Sequence, residues 1–308
     1  MTIEELNDAV DSGTIDEVIR VCEARQVKAL SAIADAVCAR RGVRLLLLAG
    51  ASSAGKTTTA KRLCTQLRVN GAQAVHLSTD DYFVGDRRNP RNADGSFDYE
   101  TVEAVDAERL ARDVNALLAG EAVRLRKFDF VRHDGYDARD VTTVAPGTFV
   151  VLEGIHALNP LLTADVPDDA KYRVFIEPKT QITVFAMTRL SSANGRLVRR
   201  LVRDNQFRKM TPFDTFDLWP KVLAGEEKWI APFRPLTHAE FDSGLDYELA
   251  VLKPYAAGLV ELVRRRRPDE KMANAFAEIF AAIHATSPNA VPGDSILRET
   301  IGGSQLDY

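Results

Sequence analysis

Three stretches of this 308-residue chain hold side chains whose types and spacing suit phosphate chemistry. The first, Gly50-Ala51-Ser52-Ser53-Ala54-Gly55-Lys56-Thr57, fits the pattern G-x-x-x-x-G-K-S/T. Such a backbone wraps so that successive N–H groups face phosphate oxygens, and the positive end of the following helix adds to the attraction. Gly50, Ser52, Ser53, Ala54, Gly55, Lys56, Thr57 and Thr58 are therefore candidate nucleotide-binding residues, with ATP as the expected nucleotide. Lys56 would reach the β- and γ-phosphates, and the Thr57 hydroxyl would ligate Mg²⁺. The second stretch, Ser78-Thr79-Asp80-Asp81-Tyr82-Phe83, follows an apolar run. An aspartate just past a strand end can take the proton of an attacking hydroxyl, although it can also simply cap a turn. One of the pair is expected to face the site. The third, Val150-Val151-Leu152-Glu153-Gly154, is an apolar strand ending in an acid. A carboxylate in such a crevice is costly without a cation, so Glu153 is the second candidate metal ligand, a structural salt bridge being the alternative.

A fourth group is cationic. Arg196, Arg199, Arg200 and Arg203 fall at i, i+3, i+4 and i+7, with Leu197, Val198, Leu201 and Val202 on the opposite helix face. Like charges at this spacing repel, so an anionic partner is implied. From Arg189 to Lys209 there are seven basic residues and one acid, Asp204. The pattern suggests a lid in which Arg196, Arg199 and Arg203 neutralise the transferring group and Arg200 holds nucleotide; a solvated face or an RNA patch is the alternative. Tyr82, Phe83, Phe128 and Phe130 could form a stacking wall or belong to the core. His133 and Asp98, the latter closing a polar loop that starts at Val84, are candidates on the acceptor side.

The elements that must position these groups are legible as alternating periodicities. Residues 2–40 read as helical, 43–49 as a strand buried on both faces, 56–68 as a helix and 72–77 as a second strand. A helix over 106–118 precedes an extended segment at 123–130, with strands at 149–152 and 172–176. Helices at 181–190, 195–207 and 213–224, a strand at 248–252 and helices starting at Pro254 and Lys271 complete the ordered part. This alternation predicts an α/β fold with a mainly parallel sheet. It divides into a helical extension over 1–40, a catalytic domain over 41–286 with its lid at 189–209, and an irregular tail over 287–308.

Composition narrows the class. The net charge is −4, 27% of residues are charged and 45% are hydrophobic, as in soluble globular proteins. No apolar run is long enough to span a membrane, the N-terminus lacks a secretory pattern, and three cysteines without metal-ligand spacing fit a reducing cytoplasm. The mild acidity argues against broad nucleic-acid binding. Neither the Asn-Lys-x-Asp motif of GTPases nor the Leu-Ser-Gly-Gly-Gln signature of transporter ATPases is present, which favours a small-molecule kinase.

Taken together, these stretches, with Lys127-Phe128-Asp129-Phe130-Val131-Arg132-His133 and Val151-Leu152-Glu153-Gly154-Ile155-His156, resemble the uridine kinase/phosphoribulokinase family, in family order from residue 43 to about residue 209. The resemblance implies a P-loop NTPase fold with a helical lid, ATP and Mg²⁺, and a small hydroxyl acceptor, most specifically the 5′-OH of a pyrimidine nucleoside. It implies that Asp80 is the base, that Phe128 contacts the nucleobase, and that His133 and Asp98 bind substrate. Two departures stand out: Phe128 replaces the usual tyrosine, and residues 210–253 differ from ordinary uridine kinases. The later segments Arg203-Asp204-Asn205-Gln206-Phe207-Arg208, Gly225-Glu226-Glu227-Lys228-Trp229 and Ser295-Ile296-Leu297-Arg298-Glu299 resemble a bacterial branch. Its members often carry an N-terminal part similar to threonyl-tRNA synthetase, which the helical residues 1–40 do not resemble. A sugar, sugar phosphate or polyol acceptor, or a nucleotide-dependent RNA-associated switch, stay open, as does a homo-oligomer.

Overall fold

A computed structural model describes every residue of the chain except 130–131, 180–181, 184–189 and 308. Among the described residues the strands are β1 (Leu45–Ala49), β2 (Ala74–Ser78), β3 (Arg126–Asp129), β4 (Asp134–Asp137), β5 (Phe149–Glu153), β6 (Lys171–Glu177) and β7 (Ala239–Asp242). The helices are α1 (Ile3–Asp11), α2 (Ile15–Ala39), α3 (Lys56–Val69), α4 (Ala107–Ala119), α5 (Ser192–Phe207), α6 (Pro212–Trp229), α7 (Glu248–Arg266), α8 (Lys271–Ala282) and α9 (Arg298–Ile301).

Five strands form one parallel sheet in the order β2-β5-β1-β6-β7. Strand β1 is central because all five of its residues are apolar and can be buried on both sides. Leu45, Leu47 and Ala49 pack into a layer with α4, whereas Leu46 and Leu48 pack beneath α2 and α3. A further apolar cluster joins α1, α5, α6, α7 and α8. Strands β3 and β4 form a separate antiparallel hairpin.

Three expectations are corrected. Residues 248–252, read as a strand, open helix α7. A short apolar run cannot distinguish a buried strand from a buried helix end. Pro254, expected to start that helix, lies inside it. The proline lacks the N–H that would bond the Ala250 carbonyl, and Thr286 N–H donates to that oxygen instead at 3.1 Å. The fifth parallel strand is β7, four residues without an apolar run. The segment from Ser287, read as irregular, contains a 3₁₀ turn and α9, and buries Ser295, Ile296, Leu297, Thr300 and Ile301. Of the expected helix at 181–190, residues 181 and 184–189 lie outside the described residues.

Candidate active site

The parallel sheet brings three strand ends to one edge. Glu153, last in β5, pairs with Ser78 of β2 on one side and Leu48 of β1 on the other. Residues following β1, β2 and β5 therefore share a crevice, as expected at the carboxyl edge of such a sheet.

The turn after β1 carries Gly50 through Thr57 into α3. Gly50 sits so close to β6 that a Cβ would lie 2.2 Å from the Ile176 carbonyl oxygen. Ser53 at φ 60° and Gly55 at φ 85° take left-handed conformations, which turn backbone N–H groups into an anion-binding concavity. Ser53 Oγ is buried without a hydrogen-bond partner among the described residues, as a group awaiting a phosphate oxygen would be. Ala54 is buried behind the loop. Lys56 Nζ rests on the Ala51 carbonyl at 3.2 Å. Thr57 Oγ1 donates to Glu153 Oε1 at 3.0 Å, which places a hydroxyl and a carboxylate side by side. Hard oxygen donors of this kind suit Mg²⁺, which completes its shell with water and substrate phosphates. His76 Nε2 stands 3.7 Å from the same Glu153 oxygen. Glu153 is pushed up by burial but held below the usual carboxylate range by His76 and Lys56.

The two aspartates after β2 have different surroundings. Asp81 pairs with Lys127 at 2.7 Å. For Asp80, burial first, then the Glu153 charge, raises the carboxyl above the ordinary range, with Lys56 and Arg208 opposing. The capping role belongs to Ser78, whose Oγ accepts from Asp80 N–H at 3.3 Å, so neither acid is spent on it.

Helix α5 does not present its arginines to solvent. Its apolar face is in the core, and its arginine face lies against the phosphate loop. Arg196 donates to the Ser52 carbonyl at 3.2 Å and pairs with Glu226 at 2.6 Å. Arg200 donates to Ser52 Oγ at 2.9 Å. Arg203 is held by Asp204 at 2.7 Å. Arg199 differs from its neighbours: it is buried in an ion pair with Glu248 and donates to the Ser243 carbonyl at 2.8 Å. Its Nε and Nη2 anchor α5 to α7, while Nη1 is left without a hydrogen-bond partner among the described residues. Arg189, expected to begin the lid, lies outside the described residues.

On the acceptor side Tyr82 also stands apart. Its ring is buried and its hydroxyl donates to Asp113 Oδ2 at 3.1 Å, because a phenol taken into the core must find a partner. Phe128, 7% exposed, meets Phe83 edge-on at 5.6 Å, and Phe83 meets Tyr99 at 5.4 Å. Phe130 lies outside the described residues. His133 is exposed between β3 and β4, with Nδ1 3.1 Å from the Tyr99 hydroxyl. Asp98 Oδ1 accepts from Glu100 N–H at 3.0 Å, the geometry of a turn.

Several residues escaped sequence reasoning. Asp204, fully buried, joins Arg200, Arg203 and Arg208 at 3.1, 2.7 and 3.6 Å. Its position four residues from both Arg200 and Arg208 was a readable signal. Glu226 and Glu248 come from distant helices and gave none. Glu100, pushed up to about 7 by burial, faces Arg200, Lys56 and Asp80. His156 is buried, and burial pushes it down to about 4, with the backbone of Thr101 and Glu100 opposing.

A phosphate loop at the head of a helix, a metal-type hydroxyl–carboxylate pair and an aspartate at the edge of a parallel sheet define a P-loop small-molecule kinase. The model of the Phosphoribulokinase / Uridine kinase family matches residues 45–249, and the chain belongs to that family. It is a phosphotransferase acting on a hydroxyl group, and kinases of this family generally use ATP and Mg²⁺. Similar curated proteins include a uridine kinase from Deinococcus deserti, 31% identical over 54% of this chain and 70% of its own length. Another, from Halobacterium salinarum, is 29% identical over 51% of this chain and 60% of its own. A solved Bacillus stearothermophilus structure named "a Possible Uridine Kinase" is 16% identical, covers 71% of this chain and all of its own, and has a TM-score of 0.47. No helix among the described residues is long and apolar enough to cross a membrane.

Proposed function

We propose that the chain transfers the γ-phosphate of ATP to a primary hydroxyl, specifically the 5′-OH of a pyrimidine nucleoside. The observation that carries this reading is the turn after β2, which sets Asp80 at the sheet edge where Ser78 pairs with Glu153 and Thr57 Oγ1 donates to Glu153; burial and the Glu153 charge raise the Asp80 carboxyl. A base with an elevated proton affinity is better matched to a hydroxyl than an ordinary exposed aspartate. The acceptor O–H gives its proton to Asp80 as its oxygen bonds to the γ-phosphorus. The bond from that phosphorus to the bridging oxygen breaks and ADP leaves. Lys56 stabilises charge on the transferring group, and Arg196 and Arg200, lying on Ser52, fix the loop against it. Thr57 and Glu153 would hold Mg²⁺, which supplies charge neutralisation on the phosphates.

The curated uridine kinases support the nucleoside acceptor. A second reading, a sugar or polyol acceptor, draws on one observation: Phe128 lacks the hydroxyl expected there, and its ring is nearly enclosed by the core. Acceptor-dependent ADP release separates them. Uridine or cytidine should saturate release while sugars and polyols do not. Release with sugars or polyols alone overturns the nucleoside acceptor, and none with any compound overturns the kinase reading.

A further inference from the structure

The chain segment after Ser287 is tied down by buried polar groups. Ser295, fully buried, donates to Glu23 Oε1 at 2.6 Å, and the Tyr247 hydroxyl donates to the same oxygen at 2.7 Å. Arg298 donates to the carbonyls of Pro288 and Val291 at 2.8 and 2.6 Å, stapling the segment to itself. Held this way, the segment lies on the phosphate loop. Ile296 covers Gly55 so closely that a Cβ there would come within 2.5 Å of Ile296 Cγ2. Three residues on, Glu299 Oε2 accepts from Thr58 Oγ1 at 3.2 Å, and Glu299 Oε1 lies 3.9 Å from an Arg203 nitrogen. The space left among Ser53, Gly55, Arg203, Ile296 and Glu299 is about 10 Å³. That admits a water at most and no nucleobase.

Thr58 stands in the first turn of α3, at the positive end of the helix. A hydroxyl donor there, with a guanidinium beside it, is what an anionic oxygen seeks. The chain supplies such an oxygen itself. We propose that Glu299 is an internal stand-in for a nucleotide phosphate and sets nucleotide affinity by competing for Thr58 and Arg203. This rests on the reading of the loop as the nucleotide site. Two anions cannot share that pair of donors without repulsion, so an arriving phosphate displaces the carboxylate. Arg203 stays in place throughout, because Asp204 holds it independently at 2.7 Å.

Calorimetric titration of the full chain with ADP tests this. Glu299→Gln keeps the shape of the side chain and an oxygen that can accept from Thr58, while removing the charge. ADP should bind the variant about tenfold more tightly than wild type, the scale of one charge-assisted hydrogen bond no longer broken. Affinity within twofold of wild type overturns the proposal. Weaker binding overturns it too, by making Glu299 a ligand of the nucleotide. Hydrogen exchange of the unaltered protein gives a second measurement: residues 296–301 should exchange faster with ADP bound, and protection there counts against displacement. If neither protein binds ADP, the nucleotide reading of the loop falls, and this role of Glu299 with it.

Discussion

The donor side and the acceptor side of the crevice are built on different principles. Around the phosphate loop, charge is buried and interlocked: Asp204 is fully buried beneath three arginines, and Arg199 and Glu248 are enclosed together. Across the crevice Asp113 is buried against Tyr82 and Arg109, but other charged pairs reach the surface. Lys221 of α6 grips Asp94 at 2.6 Å with both side chains partly exposed, and Arg88 reaches Asp106 at 2.8 Å. Buried pairs are unforgiving, because removing one partner strands a charge in low dielectric. Exposed pairs contribute little to stability. The half around the phosphate loop is thus held by its own buried electrostatics, while the exposed pairs of the other half can change without unfolding the protein.

The sharpest way to break this contrast acts on Asp80, which stands between the halves. Asp80→Asn should lower kcat by about a thousandfold with ADP affinity within twofold, since only the proton acceptor is lost. Full turnover in that variant would remove Asp80 from the chemistry. Next in size is Arg199→Met, which leaves Glu248 buried and unpaired and should cost about 3–5 kcal/mol in urea denaturation. Replacing both partners by methionine should restore most of it. A stable Arg199→Met protein that loses only kcat would keep Arg199 in the catalytic set. The smallest effect belongs to the acceptor side: Lys221→Ala should cost less than about 1 kcal/mol. Its effect should appear instead as a change in acceptor KM with ATP KM unmoved; a large drop in melting temperature would show the two halves to be alike.

The donor side was largely legible in the sequence because its geometry is made by regular structure. A strand, a glycine-rich turn and a helix fix Lys56 and Thr57, and the end of β5 fixes Glu153, so spacing alone locates them. The arginines were legible as a face but not as individuals. Which of them is neutralised depends on Glu226 and Glu248, 30 and 49 residues away from their partners, and local periodicity carries no such information. Tyr82 was misassigned for a related reason. The 3₁₀ turn that carries Asp80 rotates Tyr82 toward Asp113 of α4. The start of α7 was misread because its first residues are buried all round, and the proline signal was overridden by Thr286 supplying the missing donor.

The junction at Glu23 has a consequence for how the protein forms. One carboxylate oxygen gathers Tyr247 from 224 residues away and Ser295 from 272 residues away. Closing loops of that length costs about 5 kcal/mol of chain entropy before any contact repays it. Contacts of such long range form slowly. The sheet, whose strands need no help from residues after 242, can assemble first. The cover over Gly55 and Thr58 depends on a closure of 272 residues, so the phosphate loop stays uncovered until that closure is made.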